Sequence, residues 1–190
     1  MRTIIAGLLL LVGLVLVGFS VWEITDVAKE QDRAMEEATK TITETKEKVS
    51  RDTFQPLENQ TIGILRIPKI DAQLPIVEGT SPEDLKKGVG HYKTTAFPGD
   101  GKQILLSGHR DTVFRKFGEL KKGDEFIVEL PYGTFHYKMD TARIVPADDT
   151  SVIGSVQDEV LNLSTCYPFG FIGSAPDRYI IYAYPFEKQS

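Results

Sequence analysis

The chain has 190 residues, 41% of them hydrophobic and 26% charged, a globular composition with room for one ordinary domain that excludes a disordered or fibrous protein. Twenty-two basic against 27 acidic residues give a formal charge of -5, so no basic surplus is available to attract a nucleic-acid backbone. A single cysteine excludes an intrachain disulfide framework and any multi-cysteine metal centre.

The first element is an uncharged run of 20 residues from Thr3 to Trp22, and every acidic residue lies after it. As a helix at 1.5 Å per residue it would be about 30 Å long, the thickness of a bilayer's hydrocarbon core. Arg2 and the terminal amine flank it on one side, and Glu23, Asp26, Lys29 and Glu30 on the other. The positive-inside rule then predicts a cytoplasmic N-terminus, with the rest of the chain outside and Trp22 at the outer interface. A cleaved signal peptide has a shorter apolar stretch ending in small residues. Gly18-Phe19-Ser20-Val21-Trp22 is a poor cleavage context, so the expectation is an uncleaved signal anchor over residues 1–22. Beyond Arg2, 21 basic and 27 acidic residues remain, a balance of about -6 on the part that meets water.

Residues 23–54 read as a charged juxtamembrane spacer. From Glu23 to about Arg51 the composition is Lys, Glu, Thr and Ala without Gly or Pro, which permits a helix but gives it little apolar surface to bury. A solvated spacer is the expected state. Ala28, Met35, Ile42 and Val49 recur every seven residues, but a second stripe is missing, so no coiled coil is predicted.

From Phe54 onward, short runs rich in Ile, Val, Leu, Phe and Tyr alternate with Gly and Pro, the pattern of a mainly β domain over residues 55–190. Strands are predicted at Ile62 to Ile67, Ala72 to Val77, Gln103 to Ser107, Glu125 to Leu130, Thr134 to Val145, Val160 to Thr165 and Arg178 to Tyr184. Pro131-Tyr132-Gly133 should join two of them as a hairpin. Ser81 should cap a short helix that has Pro82 at its first position and Glu83 and Asp84 facing the positive end of the dipole. So many strands in this length suggest a closed barrel or a sandwich.

Cys166 ends the apolar run Leu161-Asn162-Leu163-Ser164-Thr165, and Tyr167-Pro168 stops the strand behind it. A nucleophile at the end of a rigid strand is a sensible catalytic placement, although a lone cysteine also serves as a buried hydrophobe. His109 follows a strand broken at Gly108. His136 sits in an alternating strand as a solvated residue, and His91 is either a satisfied structural histidine or a pocket wall. The histidine spacings carry no metal signature. Arg178 opens the last strand; if that strand pairs antiparallel with the one ending at Cys166, a guanidinium comes beside the thiol, suited to an oxyanion or to peptide carbonyls. A pairing with Asp177 or a surface carboxylate is the alternative.

Taken in order, these placements resemble the sortase family of cysteine transpeptidases over about Phe54 to Tyr184. The resemblance is carried by Pro98-Gly99 through Ser107-Gly108-His109-Arg110-Asp111, by Leu163-Ser164-Thr165-Cys166, and by Arg178. The stretch Cys166-Tyr167-Pro168-Phe169 with Gly173-Ser174-Ala175-Pro176-Asp177-Arg178 looks most like class D. The lid motif and C-terminal membrane segment of the pilin-polymerising class have no counterpart in this sequence.

The resemblance implies an all-β fold, a closed barrel of about eight strands with short helices, behind a transmembrane helix. It implies Cys166 as nucleophile, His109 as general acid and base, and Arg178 as stabiliser of the oxyanion or substrate. The implied partners are secreted surface proteins bearing a C-terminal Leu-Pro-x-Thr-Gly/Ala-type sorting signal, a peptidoglycan precursor or cross-bridge amine, and the membrane, with no nucleic acid. No cofactor is expected. Some members bind calcium near the positions of Asp148, Asp149 and Glu159, for which a solvated acidic loop is the default. Asp111 reads as a loop residue rather than a triad member. Val77, Ala96, Val113 and Phe114 are candidate groove walls, and the loops Pro146 to Asp158 and Tyr167 to Asp177 the candidate seats of specificity.

With unperturbed pKa values of about 8.5 and 6.5, roughly 3% of thiols are ionised and about a quarter of imidazoles protonated at pH 7, so independent titration leaves the competent pair below about 1%. Either the thiol is activated or the enzyme is slow. Two rivals keep the anchor and the barrel: a membrane-tethered cysteine hydrolase and a non-catalytic peptide-binding β module.

Overall fold

The computed structural model describes residues 2–187 except 46–48, 155, 171, 172 and 174. Its first element is a single helix, α1 (Arg2–Thr45), 44 residues long, that runs without a break from the apolar segment into the charged one. It is the one helix among the described residues that is long and apolar enough to cross a membrane.

The charged part of α1 is not the solvated spacer expected. Val27, Gln31, Ala34, Met35, Ala38 and Ile42 form a half-buried or buried stripe at helical spacing, with Ala34 only 3% and Ala38 0% exposed. The stripe packs on the first two strands and the second helix. Its small side chains let the backbones approach closely, and Thr61 Oγ1 donates to Glu37 Oε2 at 3.0 Å across the contact.

The domain behind it is a closed eight-stranded barrel, as the family resemblance implied. The strands are β1 (Thr61–Ile67), β2 (Ala72–Glu78), β3 (Val89–His91), β4 (Gln103–Ser107), β5 (Glu125–Leu130), β6 (Gly133–Pro146), β7 (Val160–Tyr167) and β8 (Asp177–Pro185), with α2 (Pro82–Lys87) between β2 and β3. Around the barrel they lie in the order β1-β2-β3-β4-β7-β8-β6-β5, and β5 pairs back onto β1. The pairs β2/β3 and β4/β7 are parallel.

Local chemistry explains most of these elements. Ser81 and Asp84 form a reciprocal cap at the start of α2, Asp84 N donating to Ser81 Oγ at 3.2 Å and Ser81 N to Asp84 Oδ2 at 2.9 Å. Leu130 opposes Gly133 across the β5–β6 hairpin. Strand β3 escaped prediction because it has three residues and a central glycine. A Cβ on Gly90 would strike the Gly79 carbonyl, so only glycine lets the two segments come together there.

The barrel is filled by Leu65, Ile67, Ile104, Leu106, Phe114, Phe117, Phe126, Leu161, Leu163 and Ile181, each at most 2% exposed. Tyr137 lies among them with its hydroxyl donating to Glu159 Oε1 at 2.6 Å. Glu159 also accepts from the amides of Gly99 and Gly101, both at 2.9 Å, so this carboxylate organises the loop before β4.

Burial, and next the bond to Glu159, push the Tyr137 phenol well above its ordinary range. In the unfolded chain the same phenol ionises near pH 10. Above that pH the unfolded state binds fewer protons than the folded one, so stability should fall as pH rises, by about 1.4 kcal/mol per pH unit from this group. Urea titrations of the wild type and Tyr137→Phe between pH 9 and 11.5 should therefore differ in slope, the variant falling less steeply; parallel slopes would contradict the assignment.

Candidate active site

Leu161, Leu163 and Thr165 of β7 point into the barrel, and by the period of two Asn162, Ser164 and Cys166 point outward. On β8 the outward set is Arg178, Ile180 and Tyr182, which directly oppose Cys166, Ser164 and Asn162. Cys166 and Arg178 are therefore a cross-strand pair on the outer face, a geometry that holds Cβ atoms about 4.5–5.5 Å apart.

His109 reaches the same place from the other side. Strand β4 runs parallel to β7 with Ser107 opposite Ser164, so His109 and Cys166 each lie two residues past matched positions. The pairing continues one residue beyond the ladder. Gly108 N donates to the Ser164 carbonyl at 3.1 Å, and Thr165 Oγ1 donates to the Gly108 carbonyl at 2.7 Å. Gly108 must be glycine because a Cβ there would lie 2.6 Å from Val113 Cγ2 and 2.8 Å from the Phe114 ring. Backbone and core together fix the point at which His109 leaves the sheet.

Cys166 is a free, half-buried thiol, and His109 is exposed. The half-buried Arg178 donates from Nη1 to the main-chain carbonyl of Asp177 at 3.1 Å. Among the described residues it makes no ion pair, so its charge is not neutralised by a carboxylate. The strand register thus brings the three residues singled out from the sequence to one end of the barrel, a thiol, an imidazole and a guanidinium.

Two contributors were not legible beforehand. Arg110 donates to the carbonyls of Pro168 at 3.2 Å and Gly173 at 2.7 Å, tying the segment after His109 to the loop after Cys166. A basic residue bound to main-chain oxygens leaves no partner to find in the sequence. Gln103 donates to the carbonyl of Val152 and to Asn162 Oδ1, both at 2.7 Å, and accepts from Gly154 N at 3.0 Å, pinning the loop between β6 and β7 onto the outer face. Beside it lies a cavity of ≈ 510 Å³ lined by Thr94, Ala96, Lys102, Gln103, Ile153 and Val156.

The other candidates fall elsewhere. His91 is buried, its Nδ1 2.7 Å from Glu78 Oε2 and its Nε2 3.0 Å from the Ala96 carbonyl, a structural histidine. His136 is not simply solvated, since Nδ1 lies 2.7 Å from Glu125 Oε1. Asp111 is exposed in the turn after His109, and its carbonyl accepts from Arg115 Nε at 2.9 Å. Val77 and Phe114 are fully buried, so they do not wall a groove; Val113 lines a cleft against α1, and Ala96 lines the cavity beside Gln103. Asp149 caps a short turn by accepting from Ser151 N at 2.9 Å, and among the described residues no three His, Cys, Asp or Glu side chains gather as a metal site. In the motif Gly173 to Arg178, Ser174 lies outside the described residues.

The Sortase domain family matches residues 65–186. The chain is 44% identical over 193 residues to Sortase D of Bacillus subtilis (strain 168), an alignment covering 96% of this chain and 98% of that protein. A Clostridium perfringens Sortase D5 transpeptidase superposes with a TM-score of 0.67 at 27% identity, over 80% of this chain and 99% of that one. The catalytic domain of B. anthracis SrtD superposes with a TM-score of 0.60 at 40% identity, over 70% and 92%.

Gly108→Ala should force Val113 and Phe114 apart beneath the site, at a cost of about 1–3 kcal/mol. The expected outcome is a lower Tm in a thermal melt of the full chain; an unchanged Tm would contradict the packing described.

Proposed function

The chain belongs to the sortase family of cysteine transpeptidases, and from that premise we propose that it joins secreted proteins bearing a C-terminal Leu-Pro-x-Thr-Gly/Ala-type sorting signal to a cell-wall amine. In this reading α1 anchors it in the cell membrane with the N-terminus in the cytoplasm and the barrel outside. The observation that carries it is the register that sets Cys166 opposite Arg178 and one strand away from His109.

Cys166 Sγ attacks the threonine carbonyl carbon of the sorting signal. The carbonyl oxygen takes up negative charge as the tetrahedral intermediate forms, and the Arg178 guanidinium, unpaired with any carboxylate among the described residues, supplies donors to it. His109 gives its proton to the departing amine, which leaves as the new N-terminus of the released peptide. The thioester left on Cys166 is then attacked by the cell-wall amine; His109 takes a proton from that nucleophile, the C–S bond breaks, and the sulfur is freed for another turnover. These steps use three side chains and no cofactor.

Dimensions agree with an extended peptide on this face. Gln103 pairs with Val160, six residues before Cys166, or about 20 Å along the strand. An extended pentapeptide covers about 17 Å, enough to run from the thiol most of the way to the cavity beside Gln103. The polar ties of Gln103 hold that end of the path in shape.

Incubating the full chain with a Leu-Pro-x-Thr-Gly peptide and a glycine or diaminopimelate amine should give an amine-dependent ligated product and a Cys166 thioester visible by mass spectrometry. Cys166→Ala should form neither. Arg178→Ala should lower kcat about 10²–10³-fold, the cost of losing one oxyanion donor. Hydrolysis without ligation would favour the hydrolase reading, and full activity in Cys166→Ala would overturn both.

A further inference from the structure

We propose that Arg110 is a positioning residue for the reaction: it clamps the segment that carries His109 to the loop that follows Cys166, and so holds the imidazole at the thiol. The inference rests on the transpeptidase reading, in which His109 moves protons at the reacting group.

The His109 ring has no bond of its own to aim it. Its side chain is exposed. Among the described residues the histidine rings that hydrogen-bond are those of His91 and His136, and the His109 imidazole has no such partner. Its direction therefore follows from the backbone that carries it, and β4, which supports that backbone, has already ended at Ser107.

That backbone is tied to both sides of Cys166. On the near side, Gly108 N donates to the Ser164 carbonyl at 3.1 Å and Thr165 Oγ1 to the Gly108 carbonyl at 2.7 Å, so the bonds reach the two residues just before the thiol. On the far side, Arg110 donates from Nη1 to the Pro168 carbonyl at 3.2 Å and from Nη2 to the Gly173 carbonyl at 2.7 Å, within the loop just after it. The turn beyond is closed by Phe114 N, which donates to the His109 carbonyl at 3.0 Å. The sheet thus fixes where the chain leaves β4, and the guanidinium adds the tie across the thiol.

The side chain suits this task. A guanidinium is planar and carries five donors in a fixed fork, so it can hold two carbonyls from different points of one loop at once. An ammonium is a point charge without that fork. Displacing a reacting group by about 1 Å can cost about 10²-fold in rate. The peptide path runs from the thiol toward Gln103 at the start of β4, away from this loop. Releasing the clamp should therefore slow the chemistry and leave peptide binding as it is.

The test follows the full chain with a Leu-Pro-x-Thr-Gly peptide in single turnover, with the Cys166 thioester read by quenched mass spectrometry. Peptide affinity is measured on Cys166→Ala protein with and without the Arg110 change. Arg110→Ala should slow thioester formation about 10–10²-fold and leave the peptide's dissociation constant within about two-fold. Arg110→Lys, which keeps the charge but not the fork, should fall between Arg110→Ala and the wild type. Because Arg110 acts through His109, adding Arg110→Ala to His109→Ala should slow the reaction no further. A thermal melt of each variant checks that it is folded; if Arg110→Ala fails to melt cooperatively, Arg110→Lys carries the same comparisons. An unchanged rate in Arg110→Ala, a wild-type rate in Arg110→Lys, a rate loss matched by weaker peptide binding, or an equal further loss on His109→Ala would each overturn the proposal. A wild type that forms no thioester with the peptide would sink the transpeptidase reading itself, an outcome distinct from failure of the clamp.

Discussion

Everything the site can do depends on the register of three adjacent strands. In β4, β7 and β8 the side chains alternate between core and outer face, so a slip of one residue on any of them would turn its functional residue inward. The register is held from both sides of the sheet. Inside, Leu106, Leu163 and Ile181 occupy the core. On the outer face Asn162 is locked between Gln103 and the Ile181 carbonyl, to which it donates at 3.2 Å. At the end, Thr165 bonds the carbonyl of Gly108 and so extends the order of the ladder to the residue before His109. A barrel closed through β5 and β1 leaves no free edge at which the set could slide.

The same economy governs how the domain meets the membrane. A 44-residue helix serves both as candidate span and as a packed element of the domain, because Ala34 and Ala38 bring its polar half onto β1, β2 and α2. A flexible tether would leave the barrel free to tumble. A continuous helix with a packed stripe instead holds the barrel in a fixed orientation relative to the candidate span.

Much of this was legible in the sequence, for definite reasons. Strands such as Gln103 to Ser107 and Glu125 to Leu130 have the bounds predicted, since each is a short apolar or alternating run between turn residues. Cys166, His109 and Arg178 were identifiable because each stands at a strand end with a rare functional group. The packing of α1 was not, because the best-buried positions of its stripe are the small Ala34 and Ala38 beside the polar Gln31, which dilute the signal of Val27, Met35 and Ile42. Strand β3 was hidden by its length, and the inward direction of Val77 and Phe114, expected as groove walls, is set by the packed core and not by anything local in the sequence. Arg110 and Gln103 act on main-chain carbonyls or through a distant amide, partners that only the folded chain brings together.

The proposed reaction requires Cys166, His109 and Arg178 to act on one carbonyl group. It is tested most directly by a crystal structure of the protein carrying a sorting-signal peptide analogue joined covalently to Cys166 Sγ. A donor of the Arg178 guanidinium should then lie within about 3 Å of the oxygen that stands for the threonine carbonyl, and the His109 ring beside the sulfur, on the side from which an amine would approach. An Arg178 still turned to the Asp177 carbonyl, with that oxygen held by other donors, would contradict it.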